Sequence, residues 1–384
     1  MEKFTLETLN LLKNRILENK SKIGEELTEI LIKEIDELTE TANDLYDFEK
    51  LKEINLYYDE IYKIIALTYK EVKNVEKAKK LKKVGVSMEN FEYELKNAIE
   101  HILETNYPRK AFWHFDDLID DLKSGIKAGD DAVVIKNMVV NMEGPYPLKL
   151  GAKTALIHTA CDVVAMGAEP KFALNAIQAK NDDEIKLAVD GLRKQSIGLN
   201  IPIVGGNTQT VEELKSCIAV AVFGELVDEK LIIRDGGAKE GDLLIMLGDP
   251  VEGDVGERVY KAKKKFDTYL EILKRGIKVN ACKDASRGGW LGNLLEMLIK
   301  AKKGAEIKSL PYPRATRYLG SYILAVPEEE YEKILDIALK NKCPLVLFGR
   351  IIEDPKLVIG TKEYLSEEKM LELIKRFPYK PMGI

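Results

Sequence analysis

The sequence predicts an α/β (α+β) protein with an all-helical region added at its N-terminus, and two observations support this prediction. In residues 1–105, apolar side chains recur at steps of three and four, which is the spacing of a buried helix face. From about residue 106 onward, short apolar runs alternate with helical patterns and glycine-rich loops, as is typical of α/β domains.

Length and composition limit the class of protein. A chain of 384 residues has room for about two or three domains. The hydrophobic content of 45% and the charged content of 32% allow both a large core and a hydrated surface. The net charge of −5 argues against a general nucleic-acid-binding protein. No apolar run is long enough to span a membrane, so we expect no membrane partner. None of the four cysteines lies in a Cys-x-x-Cys pair, and we expect them to be reduced in a cytoplasmic protein.

Residues 1–105 are predicted to form a helical hairpin or bundle. Within them, one heptad seam alternates steps of three and four without a break, at Leu51, Ile54, Tyr58, Ile61, Ile65, Thr68, Val72 and Val75. A further helix is predicted from residue 88 to about 103, with Ser87 as its N-cap. Pro108 marks the domain boundary. Helix packing is the simpler role for this region, and docking of a protein partner is the alternative.

Residues 106–235 are predicted to form a first α/β domain. A strand is expected to end near residues 141–144, before a helix over residues 153–170 that buries one face. Asn181 is expected to cap a second helix, with Glu184 completing a capping box. Strands are predicted at residues 172–179, 201–204 and 217–226, the second of them leading into a turn at Gly205 and Gly206.

Residues 236–355 are predicted to form a second α/β domain. Its predicted strands cover residues 243–247, 321–326 and 345–351, and its predicted helices cover residues 290–300 and 328–340. Residues 356–384 are expected to be a peripheral C-terminal tail.

Acidic residues beside glycines suggest a site for a hard cation. Asp130 and Asp131 follow Gly129. Asp162 lies in a helix of small, apolar residues, where a buried carboxylate needs a cation or a hydrogen-bond donor. Mg²⁺ prefers oxygen ligands, usually one or two carboxylates together with substrate phosphates. The alternative is a turn at Gly129 and an exposed or capped carboxylate at Asp162.

Two further motifs suggest contacts with phosphate. Gly205 and Gly206 would let backbone amides approach a phosphate closely, and the next two residues, Asn207 and Thr208, would supply oxygens. A hairpin corner is the alternative. Arg287, which follows Asp284, could clamp a phosphate or carboxylate with its planar guanidinium. Its alternative is a surface ion pair beside a capped helix start.

The order of these motifs resembles the aminoimidazole ribonucleotide (AIR) synthetase superfamily, whose fold is called PurM-like. The resemblance covers roughly residues 110–355 and rests on six motifs, among them Gly-Asp-Asp-Ala-Val-Val, Asp-Val-Val-Ala-Met-Gly-Ala-Glu-Pro and Asp-Ala-Ser-Arg-Gly-Gly. The last motif looks closer to the hydrogenase maturation factor of this superfamily than to thiamine-monophosphate kinase. That kinase has aspartates where Asn207 and Arg287 stand.

The resemblance implies a PurM-like two-domain core that dimerises through its first domain. It also implies an enzyme of the phosphotransferase or ligase class, which uses ATP and Mg²⁺ on a small-molecule acceptor that the sequence does not identify. Its implied metal ligands are Asp130, Asp131 and Asp162. Its implied nucleotide contacts are Asn141, Glu143, Gly205, Gly206, Asn207 and Thr208, and its implied catalytic residues are Asp284 and Arg287. The alternative is a nucleotide-binding scaffold without turnover, which docks a partner through residues 1–105.

Overall fold

The computed structural model describes residues 13–36 with gaps at 15, 19, 26–27, 30 and 34, then 88–104, 109–377 with gaps at 313–314 and 317, and residue 379. The heptad seam predicted for residues 51–75 lies outside the described residues. Helix α1 is Lys20–Ile23, and α2 is Met88–Glu104, which confirms the helix predicted from residue 88. Among the described helices, none has the length and apolarity needed to cross a bilayer.

The first half of the core is a six-stranded sheet with two long helices on one face. The elements are a 3-10 helix Arg109–Leu118, β1 Leu122–Ser124, β2 Val133–Ile135, β3 Met138–Pro147, α3 Leu148–Ala165, β4 Ala168–Ala179, α4 Asp182–Leu199, β5 Ile203–Thr210 and β6 Cys217–Leu226. The strand order is β1-β2-β3-β6-β4-β5, and β4 runs parallel to β5 while the other neighbours are antiparallel.

From Thr154 onward, helix α3 is buried on all sides, so the prediction of one buried face was wrong. It packs between β3, β4 and β6 of the first sheet on one side and, on the other, α4 together with the helix Val255–Lys274 and the strand Ala281–Asp284 of the second half. The helix also ends earlier than predicted. Gly167 adopts the left-handed conformation with φ +86°, and Ala168 then begins β4. A sequence periodicity describes one partner surface, and it fails for a helix with partners all round.

Gly205 and Gly206 lie inside β5 and form no turn. Gly206 has φ +148°, and a Cβ at this residue would lie 1.9 Å from the carbonyl oxygen of Asn175 on β4. The glycine therefore permits close approach of two parallel strands. The predicted N-cap is confirmed, since the Asn181 side chain accepts a hydrogen bond from the Glu184 amide at 3.0 Å.

The second half of the core is a seven-stranded sheet with the order β13-β12-β9-β11-β7-β10-β8. Only β9 and β12 are parallel neighbours among its pairs. The elements are β7 Leu243–Leu247, α5 Val255–Lys274, β8 Ala281–Asp284, α6 Gly289–Ala301, β9 Gly304–Ile307, β10 Tyr322–Val326, α7 Tyr331–Lys340, β11 Leu345–Ile352, β12 Leu357–Ile359, β13 Lys362–Leu365 and α8 Glu367–Arg376, with 3-10 turns at Asp235–Gly237 and Glu328–Glu330.

The segment 356–384 is not a peripheral tail within its described part. Strands β12 and β13 extend the second sheet, and α8 packs against α6 with Met370 and Leu373 buried. From the other end of the chain, α2 also packs against α6. Helix α6 is thus covered by elements from both sides of the region that the sequence resemblance covers.

The buried residues form two hydrophobic clusters, one on each face of the second sheet. The larger cluster fills the space between the two sheets around α3, α4 and α5. The smaller cluster joins the far face of the second sheet to α2, α6 and α8. The end of β8 and the middle of α3 therefore meet where the two halves are packed together.

Candidate functional site

Three aspartates from three separate elements converge where the two halves of the core meet. Asp131 lies in the loop between β1 and β2, Asp162 lies on α3, and Asp284 is the last residue of β8. One carboxylate oxygen from each lies within 4.8 Å of the other two. Asp162 and Asp284 are only 9% and 3% exposed. Three oxygen ligands at this separation suit a hard divalent cation.

Asp131 presents one engaged and one unengaged oxygen. Its Oδ1 lies 2.6 Å from the Nζ atom of Lys283. Its Oδ2 is buried and has no hydrogen-bond partner among the described residues. A buried carboxylate oxygen without a donor is costly, and a metal ion between the three aspartates would satisfy it. The residues present therefore fit a bound cation.

Asp162 is oriented from the first sheet. The Nδ2 atom of Asn141, on β3, donates a hydrogen bond to its Oδ2. Glu143, two residues further along β3, points to the same side of the sheet and accepts a hydrogen bond from the hydroxyl of Tyr146. Asn141 thus contacts the carboxylate cluster directly. The charge of Glu143 acts on the cluster as well, since it raises the pKa of both Asp162 and Asp284.

Burial raises the pKa of all three carboxyl groups. The pKa of Asp131 is raised to about 7, first by burial, with Lys283 opposing the shift and Asp284 adding to it. The pKa of Asp284 is raised to about 6 and that of Asp162 is raised well above its usual value, in both cases chiefly by burial. Without a cation, the cluster therefore retains protons near neutral pH, and a metal ion would displace them.

A buried network of ion pairs lies behind Asp131. Lys283 contacts Asp235 at 3.2 Å and Glu296 at 3.4 Å in addition to Asp131. Lys300 contacts the same Asp235 at 2.6 Å and the same Glu296 at 3.0 Å. Burial alone would lower the pKa of Lys283, but the charges of Asp131, Glu296 and Asp235 raise it well above its usual value. Against the effect of burial, Asp235 and Glu296 raise the pKa of Lys300 as well. Both lysines therefore stay protonated, and Lys283 holds Asp131 from behind.

Asp130 points away from the three-aspartate cluster. Its Oδ2 lies 2.6 Å from Nη1 of Arg234 and accepts a hydrogen bond from Oγ of Ser124 at 2.6 Å. Burial favours the neutral form of Asp130, but Lys300, Asp235 and Arg234 together hold its pKa below the usual value. Asp130 is thus an ionised residue that ties the loop to Arg234.

The remaining residues of the expected site lie further from the cluster. Gly205, Gly206, Asn207 and Thr208 are exposed on the edge strand β5, which β4 and β6 separate from β3. Arg287 is exposed, three residues beyond Asp284 and just before α6. The structure therefore brings together Asp131, Asp162, Asp284 and Asn141, with Glu143 beside them.

Sequence reasoning missed the ionic network behind Asp131. Lys283 immediately precedes Asp284, and Asp235 lies in the glycine-containing segment Arg234-Asp235-Gly236-Gly237, so both carried a local signal. Glu296 and Lys300 carried none, because they are spaced as an ordinary surface ion pair one helical turn apart. Only the packing of α6 shows that this pair is buried.

These motifs and this fold define a class of protein: the chain belongs to the AIR synthase related protein family. The model of the family's N-terminal domain matches residues 128–226, and that of its C-terminal domain matches residues 233–362. The superfamily and the PurM-like core predicted from the sequence are thereby confirmed. Both matched regions contribute to the carboxylate cluster, the first through Asp131 and Asp162 and the second through Asp284.

Particular relatives extend from near-identity to distant similarity. Methanocaldococcus jannaschii protein MJ0799 is 91% identical over 295 residues, which cover 77% of this chain and 100% of the relative. The PurL subunit of phosphoribosylformylglycinamidine synthase from Caldanaerobacter subterraneus is 24% identical over 265 residues, 60% of this chain and 35% of that protein. Thermotoga maritima PurL complexed with ATP has a similar fold, with TM-score 0.60 at 17% identity, over 76% of this chain and 53% of that one. The chain thus spans about half, or less, of these PurL proteins.

Proposed function

We propose that this protein is an ATP- and Mg²⁺-dependent enzyme of the phosphoryl-transfer or synthetase type, acting on a small-molecule acceptor. The observation that carries the proposal is the convergence of Asp131, Asp162 and Asp284, with one buried oxygen of Asp131 left without a partner among the described residues. Carboxylates that bind Mg²⁺ beside substrate phosphates are the recurring arrangement in phosphoryl-transfer sites. Family membership and the ATP complex of T. maritima PurL support the choice of nucleotide.

In the proposed mechanism, the bound Mg²⁺ would neutralise charge on the phosphoryl oxygens of ATP. Asp131, Asp162 and Asp284 would hold it. Lys283 engages one oxygen of Asp131 and leaves the other oxygen available to a cation. Asn141 fixes the rotamer of Asp162 through its hydrogen bond. These contacts place the ligands before ATP arrives, and such preorganisation supplies most of the acceleration in phosphoryl transfer.

The nucleotide contacts of the proposal lie around this centre. Glu143 would complete the polar shell beside Asn141, and the exposed guanidinium of Arg287 would reach the phosphates or the acceptor from the start of α6. We keep Gly205, Gly206, Asn207 and Thr208 as proposed contacts on the outer strand β5. Asp130 contributes indirectly, since it ties the loop that carries Asp131 to Arg234.

Calorimetric titration of ATP, with and without Mg²⁺, tests the proposal. Wild-type protein is expected to bind ATP only with Mg²⁺, and Asp131→Asn is expected to weaken this binding about a hundredfold, because a metal ligand is lost. Turnover with candidate acceptors then follows for the wild type. Binding that is independent of Mg²⁺, or unchanged in Asp131→Asn, would contradict the proposed site.

The matched control is Asp183→Asn, which removes the same charge from the first turn of α4. The Asp183 side chain is 93% exposed and makes only a surface contact with Lys186. We expect ATP binding of this variant to equal that of the wild type. Mg²⁺-dependent binding without turnover on any acceptor would favour the nucleotide-binding scaffold instead.

We also propose that the protein is a homodimer formed through the outer face of the first sheet. Paired residues of β3, β6 and β4 place apolar side chains on the face opposite α3, in rows Val140–Phe223–Phe172 and Met142–Ala221–Leu174. Met142 is 67% exposed, and the Phe172 and Phe223 rings stack with centroids 4.8 Å apart. A contiguous apolar sheet face of this kind is typical of a subunit interface.

A further inference from the structure

The aromatic end of the chain contacts the loop that carries Asp131. Tyr379 is buried, and its ring lies directly on Gly129. A Cβ at Gly129 would be 2.3 Å from Cδ1 of Tyr379, so only glycine leaves room for the ring. Gly129 also has φ +65°, which a residue with a side chain adopts at a cost. The loop conformation and the position of Tyr379 therefore depend on each other.

The same aromatic residues hold the buried lysine behind the loop. The Nζ atom of Lys300 lies 5.2 Å from the ring centroid of Tyr379 and 5.9 Å from that of Phe377. Lys300 donates a hydrogen bond to the carbonyl oxygen of Gly129 at 2.5 Å. A desolvated ammonium over an aromatic face is attracted by the ring quadrupole. Tyr379 thus contacts both partners of the hydrogen bond between Lys300 and Gly129.

These contacts close a ring of interactions that ends at the carboxylate cluster. Lys300 pairs with Asp235, Asp235 pairs with Lys283, and Lys283 pairs with Oδ1 of Asp131. The backbone from Gly129 to Asp131 completes the ring. Because every member is buried or tightly packed, a displacement at Tyr379 is transmitted both through the loop backbone and through the ion pairs.

We infer that Phe377 and Tyr379 act as positioning residues for Asp131, because they hold Lys300 and Gly129 and so keep the Asp131 carboxylate beside the other two aspartates. This inference rests on the proposed function for its consequence, which is tighter binding of a divalent cation. The position of the loop itself can be measured independently. These contacts make the C-terminal segment of the chain part of the construction of the site.

The experiment compares Tyr379→Ala, Tyr379→Leu and Tyr379→Phe in the full-length chain, with Mn²⁺ as the probe. Mn²⁺ affinity is measured by electron paramagnetic resonance without nucleotide, and hydrogen exchange is followed in the peptide that contains Gly129 and Asp131. Tyr379→Ala and Tyr379→Leu are expected to weaken Mn²⁺ binding about tenfold or more, as loss of an outer-shell support does. Loop exchange should quicken in both, and Tyr379→Phe should restore both readouts, since it keeps the ring.

The control is Tyr93→Ala, which removes a 66% exposed tyrosine from α2 and should leave both readouts unchanged. Gly129→Ala should also weaken Mn²⁺ binding, and its effect should be smaller when Tyr379→Ala removes the clashing ring, because contacting residues are not additive. Unchanged Mn²⁺ affinity and loop exchange in Tyr379→Ala would overturn the inference. If the wild type binds no Mn²⁺, the proposed metal site fails, and loop exchange alone then decides whether Tyr379 positions the loop.

Discussion

At the scale of single residues, the protonation of the aspartate cluster links the proposed metal binding to stability. An aspartate has an ordinary pKa of 3.8, whereas the pKa of Asp131 is raised to about 7 and that of Asp284 to about 6 in the folded protein. Between about pH 4 and pH 7 the folded state therefore holds more protons than the unfolded chain. Each of these groups makes the free energy of unfolding fall as the pH rises through this interval.

We predict that metal-free wild-type protein loses stability relative to Asp131→Asn as the pH rises from about 5 to about 7.5. The reason is that the side-chain amide of this variant cannot ionise, so the variant lacks the cost of forming a buried charge. Urea denaturation of both proteins in a chelator measures the difference. The pKa of His158 is lowered to about 3, so below about pH 6.5 this residue makes the free energy of unfolding rise with pH. Because both proteins contain His158, its contribution cancels in the comparison.

Saturating Mg²⁺ should remove this relative loss for the wild type and leave Asp131→Asn nearly unaffected, because a cation stabilises the ionised cluster. A stability difference that does not change with pH would mean that Asp131 is already ionised in the metal-free protein. The measurement therefore separates a protonated cluster from one kept ionised by Lys283 alone.

Single residues also show how far a sequence can locate a site. Asp131, Asp162 and Asp284 stand out because each is an acid in a small, glycine-containing or apolar motif. The side-chain direction of neighbouring acids is not encoded locally, and so Asp130 and Asp131 look alike in the sequence. They differ in the folded protein because Asp130 pairs with Arg234 and Asp131 pairs with Lys283, both from distant parts of the chain.

At the scale of elements, a glycine can allow the close approach either of a ligand or of a neighbouring strand. Gly206 faces the carbonyl of Asn175 with no room for a methyl group, whereas a Cβ at Gly205 would make only an ordinary contact of 3.4 Å with Leu174. The two adjacent glycines therefore have different structural roles, and a pair of matched substitutions can separate them.

We predict that Gly206→Ala lowers the free energy of unfolding by about 2 kcal/mol or more, through the backbone clash and the unfavourable φ. Gly205→Ala is expected to change it by less than about 1 kcal/mol. Urea denaturation monitored by circular dichroism measures both. Equal effects of the two substitutions would show that the β4–β5 contact does not require a glycine at residue 206.

Most elements of the core were predicted from the sequence, and two failures have separate physical causes. The strands 172–179, 217–226 and 243–247 and the helix beginning after Asn181 agree with local patterns. The prediction for the end of α3 failed because Gly167, with positive φ, ends the helix and turns the chain into β4. The prediction of a peripheral tail at residues 356–384 failed because the short strands at the edge of the second sheet have little periodicity of their own.

At the scale of the whole molecule, the uncovered face of the first sheet predicts the state of assembly. We expect wild-type protein to be a dimer in light-scattering measurements and Leu174→Glu to be a monomer, because a charge in the centre of this face opposes burial. Val189→Glu is the control, since it places the same charge on an exposed residue of α4 that is 45% accessible. A monomeric wild type, or a dimeric Leu174→Glu, would exclude this interface.

The division of the aspartates between the two halves has a consequence for the order in which the site forms during synthesis and folding. Asp131 and Asp162 belong to the first half, and Asp284 belongs to the second sheet. During synthesis the first half emerges before β8 exists, so a nascent chain offers only two of the three carboxylates. The complete set of three carboxylates can arise only after the second sheet has packed against the first half. The three ligands of the proposed metal site would therefore come together only late in folding.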